Sequence, residues 1–139
     1  MVESGESAAD AVLYLDRSDV HADRWDDLEA AIPALVAFVD AHQPQMSAYG
    51  LYLDEHTHRM TVVAVHPDSA SLERHIEIGG PEFKRLAPFL TLREIEVFGR
   101  LSEKAAELVR QKAAMLGDGG RVTLHARFAG FDRLHVSDP

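Results

Sequence analysis

Two hydrophobic periodicities alternate along this chain. Four segments, at residues 11–16, 46–54, 58–66 and 92–100, are short and rich in apolar, β-branched and aromatic residues, which predicts strands. Between the first and second strands, and again between the third and fourth, apolar residues recur every three or four positions, which predicts helices. The resulting order, β-α-β-β-α-β, indicates an α+β protein with a ferredoxin-like core.

The first helix is predicted over residues 22–42. Its apolar stripe consists of Trp25, Leu28, Ile32, Leu35 and Val39. Trp25 is therefore interpreted as a core anchor of this helix. Pro33 lacks the amide that would bond to Glu29, so we expect the helix to be kinked or divided there.

The second crossover is predicted as two helices. Gly79-Gly80 can supply a left-handed turn that closes the first of them, and Pro81 suits the first position of the next. The second helix carries Phe83 and is expected to reach Leu90. The sequence thus predicts a split connection between the third and fourth strands.

Residues 101–139 are expected to form an extension of the same domain. Ser102 caps a predicted helix that ends at Leu116, and the alternation from Val122 to Phe128 predicts a further strand. This strand is expected to join the edge of the sheet or to reach across a dimer. Residues 1–10 are expected to be a flexible lead, which leaves residues 11–100 as the ferredoxin-like unit.

The composition narrows the function classes. The net charge is -9, with 14 basic and 23 acidic residues, and this argues against a nucleic-acid partner. The chain contains no cysteine, so disulfides and thiolate metal sites are excluded. No apolar run approaches the roughly 18 residues of a membrane span, and the acidic, polar start lacks the features of a secretory signal. A cytoplasmic protein without a membrane partner is expected.

The segment from Val62 to Leu86 carries a resemblance. It runs from a strand into a helix, with His66 at the end of the strand and His75 nine residues later on the helix. This layout resembles the dimeric α+β-barrel family that includes the antibiotic biosynthesis monooxygenases, in which an aromatic residue, often Trp, closes the third strand and a His follows. Over residues 11–100 the resemblance implies a homodimer packed sheet against sheet, with a pocket between sheet and helices in each subunit.

The sequence also departs from that family. Members that oxidise aromatic polyketides or quinols use a Trp together with Asn or Tyr, whereas here His66 holds the Trp position and the only Trp is Trp25. The haem-degrading branch uses an Asn, a Trp and a haem-ligating His, and this chain contains no Asn. The resemblance therefore implies a pocket for a small apolar or aromatic molecule, but neither chemistry transfers directly.

His66 and His75 are the candidate catalytic residues. An imidazole titrates near neutral pH, so either could act as general base toward an acidic phenol or enol, whose carbanion would react with oxygen without a cofactor. Alternatively, His66 ends a strand and His75 is a structural histidine. Tyr49 and Phe83 are candidates for the wall of a substrate pocket.

Three functions remain open on this basis. The leading hypothesis is a small-molecule pocket protein, which could act as a cofactor-independent monooxygenase on an aromatic or quinol-like substrate. The main alternative is a non-enzymatic ligand-binding or stress-related homodimer, and the third is haem binding through His75. Asp54, His56 and His58 alternate as metal ligands do, but they fall in a predicted exposed hairpin turn, so no metal site is expected.

Overall fold

The β-α-β-β-α-β order and the α+β class predicted from the sequence are confirmed. The computed structural model describes residues 10–117 and 120–134. The strands are β1 (Val12–Val20), β2 (Ala48–Asp54), β3 (Arg59–His66), β4 (Leu90–Phe98) and β5 (Arg121–His125). The α-helices are α1 (Trp25–His42), α2 (Ser69–Lys84) and α3 (Glu103–Leu116), and short 3-10 helices lie at Ala22–Arg24 and Ala87–Phe89.

The five strands form one mixed sheet in the order β2-β3-β1-β4-β5. All pairings among β1, β2, β3 and β4 are antiparallel, which is the ferredoxin-like arrangement. Strand β5 pairs in parallel with β4 and follows α3, so the extension adds an edge strand to the same sheet. The strand ends at His125 and not at Phe128, so the predicted C-terminal boundary is wrong.

The helices cover one face of this sheet. Tyr14, Ala64 and Ile95 point toward the helices and are completely buried. Their neighbours on the opposite face are partly exposed, for example Leu13 at 39% and Phe98 at 37%. The core therefore lies between the sheet and its helical layer. Within the described residues no helix is long and apolar enough to cross a membrane.

Helix α1 buries the predicted stripe but is not divided at Pro33. Trp25, Leu28, Leu35 and Val39 are all buried against the core. The helix continues through Pro33, which lies on its exposed side, so water can bond to the carbonyl that the missing amide leaves free. The expected division is wrong because the unsatisfied group faces solvent.

Helix α2 is also continuous, so the predicted split of the second crossover is wrong. Its N-terminus is capped by Asp68, which accepts the amide of Ser71 at 2.9 Å. Gly79 lies in the helix interior with the Phe83 ring packed over its Cα, and Pro81 lies on the exposed side. Packing of the buried side outweighs the weak helical propensity of glycine. The segment expected to continue as helix to Leu90 is instead a 3-10 turn leading into β4.

Other predicted boundaries differ by a few residues. Strand β1 extends beyond Asp16 to Val20 because it pairs on both sides, with β3 and with β4. His58 is not part of β3: it lies in the hairpin turn with a positive φ of 55°. The lead predicted over residues 1–10 lies outside the described residues apart from Asp10.

Candidate active site

The inward face of β1 carries polar side chains where apolar ones are usual. Tyr14, Asp16 and Ser18 occupy alternate positions, so all three point under the helices, and all three are buried. Buried carboxylates are rare unless they are paired. Asp16 is therefore expected to have a charged or hydrogen-bonding partner under the helices, and the two together define the candidate site.

The partner of Asp16 is Lys112 on α3. Lys112 falls in the same helical stripe as the buried residues Ala105 and Val109 and is only 5% exposed. Its Nζ atom lies 3.4 Å from Oδ2 of Asp16. The ammonium also lies over two ring faces, 4.6 Å from the centroid of Tyr14 and 4.1 Å from that of Phe83, in cation–π geometry.

Tyr14 completes this buried cluster. Its hydroxyl donates to Oδ2 of Asp16 at 2.5 Å, so one carboxylate oxygen receives both Tyr14 and Lys112. Burial, together with the negative charge of Asp16, raises the pKa of Tyr14, which therefore remains a hydrogen-bond donor. Burial lowers the pKa of Lys112, and Asp16 opposes part of that shift. We call Tyr14, Asp16 and Lys112 the inner polar cluster.

The inner polar cluster borders a small cavity between the sheet and the helices. Its volume is about 20 Å³, room for about one water molecule. The polar residues of its lining are Asp16, Ser18, Tyr49 and Lys112, and the remaining lining is apolar, including Phe83. A ligand of substrate size would need some of these walls to move outward.

Tyr49 also lines a second space, a cleft of about 250 Å³ between α1 and β2. The residues around this cleft include Val39, Gln43 and Met46. Tyr49 thus borders both the cleft and the inner cavity. Burial raises the pKa of Tyr49, and the charge of Asp16 adds to that effect. The hydroxyl of Tyr49 is thus neutral at physiological pH.

His75 lies behind the cavity wall. Its ring contacts those of Tyr49 and Phe83, with centroid distances of 5.3 Å and 5.1 Å. Its Nδ1 is 3.0 Å from Oε1 of Gln43, whose amide nitrogen donates to the carbonyl of His75. Nδ1 therefore carries the proton and donates it to Gln43. Nε2 of His75 has no hydrogen-bond partner among the described residues.

His66 stands next to His75 and is likewise fully buried. The two ring centroids are 5.4 Å apart, and Nδ1 of His66 lies 2.7 Å from the hydroxyl of Ser71. Burial and the nearby charge of Lys112 lower the pKa of His66 to about 4 and also lower that of His75. Both rings are neutral at physiological pH. Neither histidine belongs to the lining of the inner cavity, so the structure brings the two together but behind its wall.

The hairpin residues that resemble metal ligands have other roles. Oδ1 of Asp54 accepts the backbone amides of His56 and Thr57, which stabilises the turn. His58 packs against the edge of the Trp25 ring at 5.7 Å. Across residues 10–117 and 120–134, no group of three or more His, Cys, Asp or Glu side chains could hold a metal ion.

Sequence reasoning missed Asp16 and Lys112. A signal was present for each: Asp16 occupies an inward position of an alternating strand, and Lys112 interrupts the apolar stripe of an amphipathic helix. A single interruption of either kind is common, however. Only their proximity makes them a site, and 95 residues of sequence separate them.

Neither a family model nor a curated protein matches the sequence, but solved structures match the fold. MupZ from Pseudomonas fluorescens aligns with a TM-score of 0.69 at 12% identity, over 93% of this chain and 99% of that one. A presumed antibiotic biosynthesis monooxygenase from Caulobacter crescentus aligns with a TM-score of 0.59 at 14% identity, over 70% and 96%. SnoaB from Streptomyces nogalater, a cofactor-independent oxygenase, aligns with a TM-score of 0.54 at 21% identity, over 68% and 96%.

The protein thus has the fold of the antibiotic biosynthesis monooxygenase-like proteins, and the resemblance found in the sequence is confirmed at that level. The likeness to MupZ extends further along the chain. Residues 101–139 are too many to fall within the 7% that this alignment leaves out, so it includes at least part of the extension.

Proposed function

We propose that this protein is an enzyme that binds a small, mostly apolar molecule with an acidic phenol, enol or quinol group and oxidises it with molecular oxygen, without a cofactor. The observation that carries the proposal is the inner polar cluster, a buried carboxylate–ammonium pair at the wall of an otherwise apolar cavity. Such pairs are costly to bury, and they concentrate at functional sites. The fold shared with SnoaB, a cofactor-independent oxygenase, supports the same class of chemistry.

The proposed roles follow from charge and position. Asp16 is the general base that accepts the substrate proton, because it is the only carboxylate in the lining of the cavity. Lys112 holds the negative charge that develops on the substrate oxygen. Tyr49 and Phe83 form the wall against the aromatic body of the substrate, and His75 supports both rings from behind.

The reaction then balances without a cofactor. Removal of a proton from an acidic CH₂ group leaves a carbanion, which transfers electron density to O₂ and forms a C–O bond. The peroxide anion takes a proton, and the hydroperoxide loses water to leave a carbonyl group. Overall, CH₂ and O₂ become C=O and H₂O, with Asp16 and Lys112 exchanging the protons.

His66 and His75 have supporting roles in this proposal. Their low pKa values make them weak bases, and the rings of Tyr49 and Phe83 separate His75 from the cavity. They position the wall without touching the substrate. Haem binding through His75 has no support from this geometry, because the rings of Tyr49 and Phe83 flank its imidazole.

A non-enzymatic ligand-binding role is the second candidate. It is favoured by the apolar majority of the cavity lining, which would hold an apolar molecule without any reaction.

The proposal also includes a homodimer formed through the uncovered sheet face, where Leu13 and Phe98 are exposed, and a cytoplasmic location.

Oxygen uptake with anthrone, a ketone with an acidic CH₂ group, tests the proposal. We expect the protein to accelerate uptake and to form the corresponding quinone, and we expect Asp16→Asn to reduce the rate by at least about a hundredfold. Arg17→Met, on the opposite face of the sheet, is the matched control and should retain activity. Anthrone binding with no uptake above background would favour the ligand-binding role, and equal rates in Asp16→Asn and wild type would overturn the role of Asp16.

A further inference from the structure

The chain contains three lysines, and one of them differs from the other two. Lys84 and Lys104 are exposed on α2 and α3, whereas Lys112 is buried and borders the inner cavity. Lysine is among the residues least often buried. Since an apolar residue would satisfy the stripe of α3 equally well, the amine at this position calls for an explanation.

The surroundings of Lys112 are those of a nucleophilic amine. Burial lowers its pKa, so a larger fraction is neutral than for a lysine in water, and only the neutral amine attacks electrophiles. The carboxylate of Asp16, 3.4 Å from Nζ, is placed to take the ammonium proton. The Tyr14 hydroxyl holds that carboxylate in place from the other side at 2.5 Å.

We propose that Lys112 is a covalent nucleophile, which forms an imine with the carbonyl carbon of an aldehyde or ketone that reaches the inner cavity. This activity goes beyond the proposed oxidation and shares with it the cavity, Asp16 and Lys112. The class of ligand is a small apolar carbonyl compound, because the lining outside the polar residues is apolar.

The step is balanced by the residues present. Asp16 takes a proton from the ammonium, Nζ bonds to the carbonyl carbon, and the carbonyl oxygen takes the proton that the attacking nitrogen gives up, which yields a neutral carbinolamine. The hydroxyl then leaves as water with the proton that Asp16 returns, and the iminium ion remains. Its positive charge replaces that of the ammonium, so the carboxylate and the ring faces of Tyr14 and Phe83 stabilise it as they did Lys112.

A purely structural ion pair predicts the opposite behaviour. An ammonium that is buried and bound to Asp16 only for stability would be the least reactive of the three lysines, since it is both charged and shielded. The order of reactivity of Lys84, Lys104 and Lys112 therefore separates the two explanations.

Reductive trapping measures this order directly. The folded, full-length protein is treated at pH 7 with acetaldehyde and cyanoborohydride, and peptide mass spectrometry follows the modification of each lysine with time. We expect Lys112 to be modified several-fold faster than Lys104, because it has a proton acceptor 3.4 Å from Nζ and burial lowers its pKa. In Lys112→Arg the rapid modification of residue 112 should be absent, and the rate of modification of Lys104 should be unchanged.

The effect of the carboxylate is measured on the same peptides. Asp16→Asn should slow the trapping of Lys112 relative to Lys104, because dehydration of the carbinolamine loses the proton that Asp16 returns, and this outweighs the further fall in the Lys112 pKa when the carboxylate is removed. If that variant does not fold, the wild-type order still decides the question. Lys112 as the slowest of the three lysines would overturn the proposal. Trapping requires no oxygen and oxidation requires no imine, so failure here is distinguishable from failure of the proposed oxidation.

Discussion

Asp16 and Arg17 are adjacent on β1, both lie in ion pairs, and they face opposite sides of the sheet. Asp16 meets Lys112 at 3.4 Å under the helices, where both side chains are about 5% exposed or less. Arg17 meets Glu94 at 2.9 Å and Glu96 at 2.8 Å on the uncovered face, where all three side chains are about a third exposed or less. The outer contacts are the shorter ones.

Distance therefore does not measure what these pairs contribute. On the uncovered face, water and salt screen the charges, and the net contribution of a pair is about 0–1 kcal/mol. Under the helices each charge has lost its hydration, so the loss of one partner leaves the other uncompensated. The longer pair is therefore the one whose loss should cost more in folding, and the one on which the proposed chemistry depends.

The largest effect is expected from breaking the inner pair. Asp16→Asn leaves the Lys112 ammonium buried without a counter-charge, which should lower the free energy of unfolding by about 3–5 kcal/mol. Urea denaturation of the variant measures this. Replacing both partners, with Asp16→Leu and Lys112→Met, should recover much of the loss. A single variant as stable as wild type would show that the inner pair is hydrated in solution.

The second effect concerns the buried histidines. The pKa of His66 is about 4 in the folded protein and about 6.5 in an unfolded chain. Between these values the unfolded chain binds the proton and the folded one does not, so stability is complete above pH 6.5 and falls as the pH drops toward 4. One pKa unit corresponds to about 1.36 kcal/mol, so the loss from His66 is roughly 3 kcal/mol, and His75 acts in the same direction.

Denaturation across this pH range checks the sign and the window. His66→Gln should flatten the pH dependence, whereas His56→Gln, at an exposed position of the hairpin turn, should leave it unchanged. A wild-type stability that is constant from pH 6.5 to pH 4 would contradict the burial of both rings.

The third effect compares two adjacent glycines of α2. A Cβ at Gly79 would lie 2.5 Å from Cζ of Phe83, whereas a Cβ at Gly80 would meet nothing within 4 Å. Gly79→Ala should therefore destabilise by about 1–3 kcal/mol through overpacking. Gly80→Ala should stabilise by about 0.5–1 kcal/mol, because it removes a flexible residue from a helix interior. Denaturation of both variants measures the difference, and equal effects would place Phe83 away from Gly79.

The smallest effect is expected from the outer pair. At protein concentrations low enough to keep the chain monomeric, Arg17→Met should change the free energy of unfolding by about 1 kcal/mol or less, and added salt should reduce that change further. The proposed homodimer would alter this outcome, since packing of two uncovered faces buries Arg17. If the destabilisation by Arg17→Met instead rises to several kcal/mol as the protein concentration is raised, the outer pair is buried in the dimer and behaves like the inner pair.

The sequence predicted the local features of the fold well. The stripe of α1 depends only on neighbours along the chain, and four of its five residues are buried as expected. The predicted division of α1 at Pro33 and the predicted split at Gly79-Gly80 were wrong because tertiary packing and exposure, and not neighbours along the chain, decide both. Propensities there amount to a few kcal/mol or less, and the exposure of Pro33 and the packing of Phe83 over Gly79 outweigh them.

The sequence by itself determined the class of fold, the order of its elements and which helix and strand faces are apolar, because each follows from periodicity over a few residues. It also singled out His66 and His75 in the segment from Val62 to Leu86, with Tyr49 and Phe83 as candidates for the pocket wall. Only the tertiary structure decided that the histidines lie behind the cavity wall and that Asp16 meets Lys112 at its surface. A contact between a strand near one end and a helix near the other is set by how layers pack, and no local pattern encodes it.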